Sequence, residues 1–139
     1  DALVVDSDGK PLLLHNDSPN TGHWLSLRLI GTKSNRDGYG SLVMVSTPGL
    51  KQTRLCHADG SYMSSSDKRV HVGLGSATTA QTVSVHWPSG HTDEIHNVAT
   101  DHFYTLREGD AKLTEGDAGL ARKEPTPARS SPPLPVREG

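Results

Sequence analysis

Apolar and polar residues alternate with a period of two along most of the chain. In HWLSLRLI, residues 23–30, the three leucines fall on one face and mostly polar residues on the other. The segments VHVGLG and TVSVHW alternate in the same way. This period is typical of β-strands that are buried on one side, and no stretch has the sustained spacing of three and four that a helix needs. The other strand candidates are residues 2–5, 11–15, 41–46, 52–57, 92–96 and 103–107.

Glycine, proline, asparagine and aspartate cluster between these segments, for example in DSDGKP, NRDGYG and WPSG. In WPSG, Pro88 presets a turn angle and Gly90 can take a positive φ, which predicts a hairpin. Asp8 and Gly9 suit the tip of a second hairpin near the start of the chain. The pattern therefore predicts an all-β fold: a small antiparallel β-sandwich or partly open barrel of about seven to nine short strands.

Composition limits how much of the chain can fold. Hydrophobic residues make up 32% of the 139 residues, and residues 109–139 hold five of the nine prolines but no Ile, Phe, Tyr or Trp. Such a segment has too little apolar area to offset its ordering entropy, so we expect a disordered tail or linker there. The formal net charge of -2, without a basic patch, argues against nucleic acid as a partner. No apolar run is long enough to span a membrane.

The loop SNRDGYG poses the main functional question. Asn35, Arg36 and Asp37 could form a binding site, but asparagine and aspartate also suit turns, and Gly38 would relieve steric limits before the next strand. We favour a structural turn and keep a binding or interface role as the alternative. If φ is positive at Gly38, replacement by valine should destabilise the fold by about 1 kcal/mol or more.

Metal binding and catalysis receive less support. Asp6 and Asp8 resemble part of a calcium loop but lack its further oxygen ligands. Among eight histidines, His71 and His86 would be neighbours if their strands pair, yet zinc needs three or four converging ligands. The serine-rich GSYMSSSD has no nucleophile elbow, and Ser66 or Asp67 could instead cap backbone donors. We expect neither a metal site nor catalytic residues, and a small buried or half-buried thiol at Cys56.

Aromatic residues give the last signal from composition. Trp24 shares the polar face of its predicted strand, and with Tyr39 and Tyr62 it could form a patch that binds protein or glycan. Alternatively, Trp24 packs against a neighbouring domain, which we prefer because docking would also account for the apolar segments near the start of the chain.

The motifs NRDGYG, GSYMSSSDKRVHVGLG, VSVHWPSG and DEIHNV, in this order, resemble the ASPIC/UnbV domain. The preceding LVVDSDGKPLLLHNDSPNTGHWLSLRLIGT is similar to the end of an FG-GAP/VCBS repeat array, which forms a β-propeller. The resemblance implies three parts: the end of a repeat and a connector in residues 1–20, an ASPIC/UnbV-like β domain in 21–108, and the tail in 109–139. It implies no catalytic residues.

This resemblance implies an exported protein, located outside the cell or in its envelope. The chain opens on Asp1 without an initiating Met, so we expect a piece of a longer protein. The leading hypothesis is a non-catalytic module that binds protein or glycan, or docks onto an adjacent β-propeller. The alternative is a metal-binding or enzyme-associated domain whose site is shared with the propeller. No cofactor is expected in the chain itself, although the neighbouring repeats could hold calcium.

Overall fold

The structure is a computed structural model that describes residues 1–5, 7, 9–19, 22–110 and 112–116. In this part of the chain the regular elements are ten strands. They are β1 (Ala2–Val4), β2 (Leu12–Leu14), β3 (His23–Ile30), β4 (Leu42–Thr47), β5 (Leu50–Leu55), β6 (Val70–Gly75), β7 (Thr79–His86), β8 (Thr92–Ala99), β9 (His102–Arg107) and β10 (Thr114–Glu115). The described residues include no helix that could cross a membrane.

Eight of these strands form two four-stranded sheets. Sheet I has the order β10-β9-β3-β6 and sheet II the order β5-β4-β7-β8. Among the described residues, the remaining strands, β1 and β2, pair with each other in a separate antiparallel hairpin. The predicted all-β class is confirmed, and the arrangement is that of a sandwich rather than a closed barrel.

The core lies between the two sheets and contains the apolar residues that recur at every second position of the strands. Leu25, Leu27 and Leu29 of sheet I are fully buried and belong to the same apolar cluster as Val43 and Val83 of sheet II. Burying each such side chain contributes roughly 1.5–3 kcal/mol before the entropy cost of ordering. The two sheets therefore hold each other in place through one shared core.

One strand pair at the centre of sheet I departs from the predicted antiparallel arrangement. Strand β3 pairs in parallel with β9, with Leu25 opposite His102 and Ile30 opposite Arg107. Parallel neighbours cannot be joined by a tight turn, so the chain between them has to make a long crossover. Residues 31–101 do so by forming all of sheet II together with β6.

Sheet I continues past Glu108 into the segment predicted to be a tail. Strand β10 pairs with β9, with Thr114 opposite Thr105 and Glu115 opposite Tyr104. The first residues of the predicted tail thus add an edge strand to sheet I, while residues 117–139 lie outside the described part. The predicted hairpin at Pro88 and Gly90 is present between β7 and β8, and φ is +88° at Gly90.

Candidate functional site

The loop of residues 31–41 is closed by its own hydrogen bonds. The side-chain amide of Asn35 donates to the carbonyl of Tyr39 at 2.6 Å, and its oxygen accepts from the Tyr39 N–H at 2.9 Å. The N–H of Gly38 donates to the carbonyl of Asn35, and that of Gly31 to the carbonyl of Arg36. Asn35 therefore holds the loop in one conformation, as the turn interpretation predicts.

Gly38 is required by both its backbone angle and its surroundings. Its φ is +67°, which confirms the condition set by the sequence. A Cβ at this position would lie 2.6 Å from Cβ of Leu29 and 3.3 Å from the ring of Trp87. No side chain fits there unless the core moves.

Asp37 is the centre of a charge cluster. Its carboxylate lies 3.0 Å from Nζ of Lys68, 3.2 Å from a guanidinium nitrogen of Arg28 and 3.6 Å from that of Arg36. The hydrogen bond from Lys68 is the largest of the effects that lower the pKa of Asp37, and it is opposed by partial burial. The positive charges of Lys68, Arg36 and Arg28 lower this pKa further. Arg36 directs its side chain to solvent, with 86% of it exposed.

Glu108 is the second charged centre, and it joins three segments of the chain. One carboxylate oxygen accepts from the backbone N–H groups of Thr32 (2.8 Å), Lys33 (2.8 Å) and Ser34 (2.7 Å). The other accepts from the hydroxyl of Ser34 at 2.9 Å and from the hydroxyl of Ser89. Glu108 is only 5% exposed. The end of β9 is thereby tied to the 31–41 loop and to the turn between β7 and β8.

Two opposing effects act on the pKa of Glu108. Burial, the largest single effect, raises it. The hydrogen bonds from Ser34, Ser89, Thr32 and Lys33 together outweigh burial and hold the pKa far below its usual value. A carboxylate that is ionised at neutral pH and already accepts five hydrogen bonds is suited to anchoring these loops, and poorly suited to proton transfer.

Asp93 fixes the same region from the side of sheet II. It is 6% exposed, and one of its oxygens accepts from the indole N–H of Trp87 at 2.7 Å and from the N–H of Gly109 at 2.9 Å. Its other oxygen lies 2.9 Å from Nε2 of His91. The buried Trp87 ring is thus oriented by a carboxylate that also binds the chain just after β9.

Sequence reasoning missed both of these anchors, although the sequence contains a signal for each. Glu108 follows Leu106 at a spacing of two, and Asp93 precedes Ile95 at the same spacing. In both cases the carboxylate falls on the face of the strand that carries apolar residues. A carboxylate at such a position needs hydrogen-bond donors around it, which marks it as an anchor or a site.

The three predicted aromatic residues lie in three different settings. Trp24 packs on the outer face of sheet I, with ring centroids 5.5 Å from His71 and 4.9 Å from Phe103. Tyr39 is partly buried against the core, whereas Tyr62 is 89% exposed in the loop between β5 and β6. Their predicted role as one binding patch stays a prediction, and it draws no support from this separation.

The structure does not make His71 and His86 neighbours, which the sequence had left possible. His71 lies on β6 in sheet I and His86 on β7 in sheet II, so the two cannot face each other across a strand pair. Among the described residues, no group of three or more His, Cys, Asp or Glu side chains could hold a metal ion. Asp6 and Asp8 lie outside the described residues. Six histidines each lie within 3.4 Å of a carboxylate: His15, His23, His57, His91, His96 and His102.

The single thiol is buried, as predicted. Cys56 is fully buried, with Sγ 3.7 Å from the carbonyl of Asp37. Burial raises the pKa of the Cys56 thiol to about 11, so at neutral pH it is protonated and a poor nucleophile. In the serine-rich loop, Asp67 accepts from the backbone N–H of Arg69 at 2.9 Å, which agrees with its predicted capping role.

The fold and these buried anchors define a class of small two-sheet β domain whose connecting loops are held by carboxylates. A family model described as ASPIC and UnbV matches residues 31–113, more than half of the chain. The chain belongs to the ASPIC and UnbV family. The match begins at the 31–41 loop and extends past Glu108, so it includes both charged centres. A comparison with curated proteins finds no match.

Proposed function

We propose that this chain is a non-catalytic interaction module that docks onto an adjacent β-propeller of the same exported protein. The observation that carries the proposal is the β1–β2 hairpin. Its strands read ALV and LLL, and every leucine and valine in them is between 47% and 66% exposed. A two-stranded hairpin of this size is marginally stable in water at best, so this apolar surface favours a covering partner.

The distribution of these residues supports a partner on both faces of the hairpin. Leu3 is opposite Leu13 on one face, while Val4 opposite Leu12 and Ala2 opposite Leu14 fall on the other. Strands with uninterrupted apolar runs are typical of sheets that are covered on both sides. A blade of a β-propeller is covered on both sides, because it packs between two neighbouring blades. The resemblance of this segment to the end of an FG-GAP/VCBS repeat points to the same partner.

The state of the reactive groups supports a role without catalysis. The carboxylates of Glu108 and Asp37 are held ionised by hydrogen bonds and positive charges, and the Cys56 thiol is protonated at neutral pH. A general acid or base works best when its pKa lies near the operating pH, which none of these groups satisfies. Location outside the cell or in its envelope is part of the proposal and follows from the family resemblance.

Hydrogen exchange tests the docking proposal. In the chain alone, we expect the amides of β1 and β2 to exchange quickly, and removal of residues 1–15 to leave the unfolding midpoint of the domain unchanged. In the polypeptide that carries the expected upstream repeats, the same amides should be protected. Replacing both Leu3 and Leu13 by Asp should abolish that protection, whereas Leu50→Asp, at a leucine that is 44% exposed on β5, should not.

Two outcomes would overturn the proposal. The first is strong protection of the hairpin in the chain alone, because the apolar residues would then already have a partner within this domain. The second is equal exchange with and without the upstream repeats.

A further inference from the structure

A groove of about 440 Å³ crosses the outer face of sheet II. Its position is set by the strand register, which places Met44 beside Ser84 and Ser84 beside Glu94 in one row across the sheet. The next row places Lys51 beside Ser46, and Ser46 beside Thr82. The volume falls within the range typical of sites that bind small ligands. None of the interactions proposed for the β1–β2 hairpin involves this groove.

The middle of the groove combines an apolar side chain with hydroxyl groups. Met44 is half-buried, and Ser84 is only 6% exposed. Within the part of the chain that the structure describes, the hydroxyl of Ser84 has no hydrogen-bond partner, although it lines an open groove. A hydroxyl that faces an open groove and has no protein partner can donate to a bound ligand and accept from it.

The two sides of the groove carry opposite charges. Lys51 lies on β5, one edge of sheet II, and Glu94 lies on β8, the other edge. These strands are separated by three inter-strand spacings, or roughly 14 Å. On the side of Glu94, Nε2 of His96 lies 3.4 Å from the carboxylate, and Nδ1 of His96 lies 3.3 Å from the Thr82 hydroxyl.

We propose that this groove binds a short extended peptide segment with an acidic side chain near Lys51 and a basic side chain near Glu94. An extended chain advances about 3.3 Å per residue, so about four residues span the distance between β5 and β8. The residues between the two charged side chains would pack on Met44 and receive a hydrogen bond from the Ser84 hydroxyl. A neutral oligosaccharide would bring no opposite charge to Lys51 or Glu94, and an acidic one would repel Glu94, so a peptide that carries both charges fits better.

The direct test is titration of the full chain with a capped pentapeptide that has Asp first, Lys last and Ala-Val-Ala between them, followed by amide NMR. We expect saturable shifts confined to β4, β5, β7 and β8. Lys51→Glu should weaken binding by about tenfold or more, since an attraction becomes a repulsion. Arg54→Glu is the matched control, because Arg54 lies on the same strand but pairs with Val43 on the opposite face.

A charge exchange and a competing ligand complete the test. The Lys51→Glu variant should regain affinity for a pentapeptide with Lys at both ends, and a merely structural role of Lys51 would not produce this rescue. The proposal is overturned if the pentapeptide gives no saturable shifts at about 1 mM, or if Arg54→Glu weakens binding as much as Lys51→Glu does. It is also overturned if a uronate oligosaccharide shifts the groove amides and the pentapeptide does not.

Discussion

Replacing Glu108 by glutamine keeps the shape of the side chain and removes its charge. The remaining amide oxygen can still accept from the N–H groups of Thr32, Lys33 and Ser34, while the new NH₂ group faces the hydroxyls of Ser34 and Ser89. A hydrogen bond to a charged group is worth about 1.5–3 kcal/mol, and a neutral one about 1 kcal/mol. Weakening three such bonds should lower the free energy of unfolding by about 2–3 kcal/mol at pH 7.

The effect should depend on pH with a defined sign. The pKa of Glu108 is lower in the folded protein than its ordinary value of 4.5. Its contribution to stability is therefore fully present above pH 4.5 and is lost as the pH falls toward the folded pKa. In that range the difference between wild type and Glu108→Gln should shrink by about 1.4 kcal/mol per pH unit, or about 2 kcal/mol by pH 3.

Urea unfolding at pH 7, 4 and 3, followed by tryptophan fluorescence, measures the loss of stability in Glu108→Gln and its dependence on pH. Tryptophan fluorescence is suitable because Trp87 is buried in the core. Glu115→Gln is the control: its carboxylate is largely exposed and lies 3.3 Å from His102, so the change should be within about 0.5 kcal/mol. Equal stability of wild type and Glu108→Gln at pH 7 would refute the anchoring role. A difference that stays constant between pH 7 and pH 3 would refute the lowered pKa.

Three further predictions concern Gly38, Cys56 and Asp93. Gly38→Val should lower the free energy of unfolding by about 2 kcal/mol or more. Gly73→Val is the control and should have little effect, because an added Cβ there meets nothing within 4 Å. Similar losses of stability in both variants would contradict the steric argument. Cys56 should resist a thiol reagent at pH 8 in the folded protein and react once urea unfolds it, and rapid labelling of the native state would show that the thiol is not buried. Asp93→Ala should cost about 2–3 kcal/mol in urea unfolding, because the buried indole N–H of Trp87 loses its acceptor; an unchanged midpoint would mean that this bond contributes nothing.

The strands that line the core were predictable because each has one buried face. The alternation that placed Leu25, Leu27 and Leu29 together survives in the structure, where all three are fully buried. The turn at Gly38 was predictable for the same kind of local reason, since glycine tolerates the positive φ found there. The pairing of β3 with β9 was not, because nothing in either segment encodes the direction of a neighbour more than seventy residues away.

The candidate site was harder to predict than the fold. Asn35, Arg36 and Asp37 were chosen as candidates from their residue types. Their partners could not be predicted, because Lys68 reaches Asp37 from a different loop. The surroundings of Trp24 were missed for a related reason: His71 and Phe103 lie on the two strands that flank β3, so this cluster exists only once the sheet order is known. A period of two identifies the face of a strand and does not identify its neighbours.

The parallel pairing at the centre of sheet I has a consequence for synthesis. Strand β3 is made early and has one of its two neighbours, β9, only after residue 107 has been added. Until β9 leaves the ribosome, one edge of β3 and its leucines stay exposed to other nascent chains. The domain should therefore become resistant to protease only once β9 has emerged from the ribosome. Truncation before residue 102 removes β9 and β10 and should give insoluble product, although six of the eight strands of the two sheets remain.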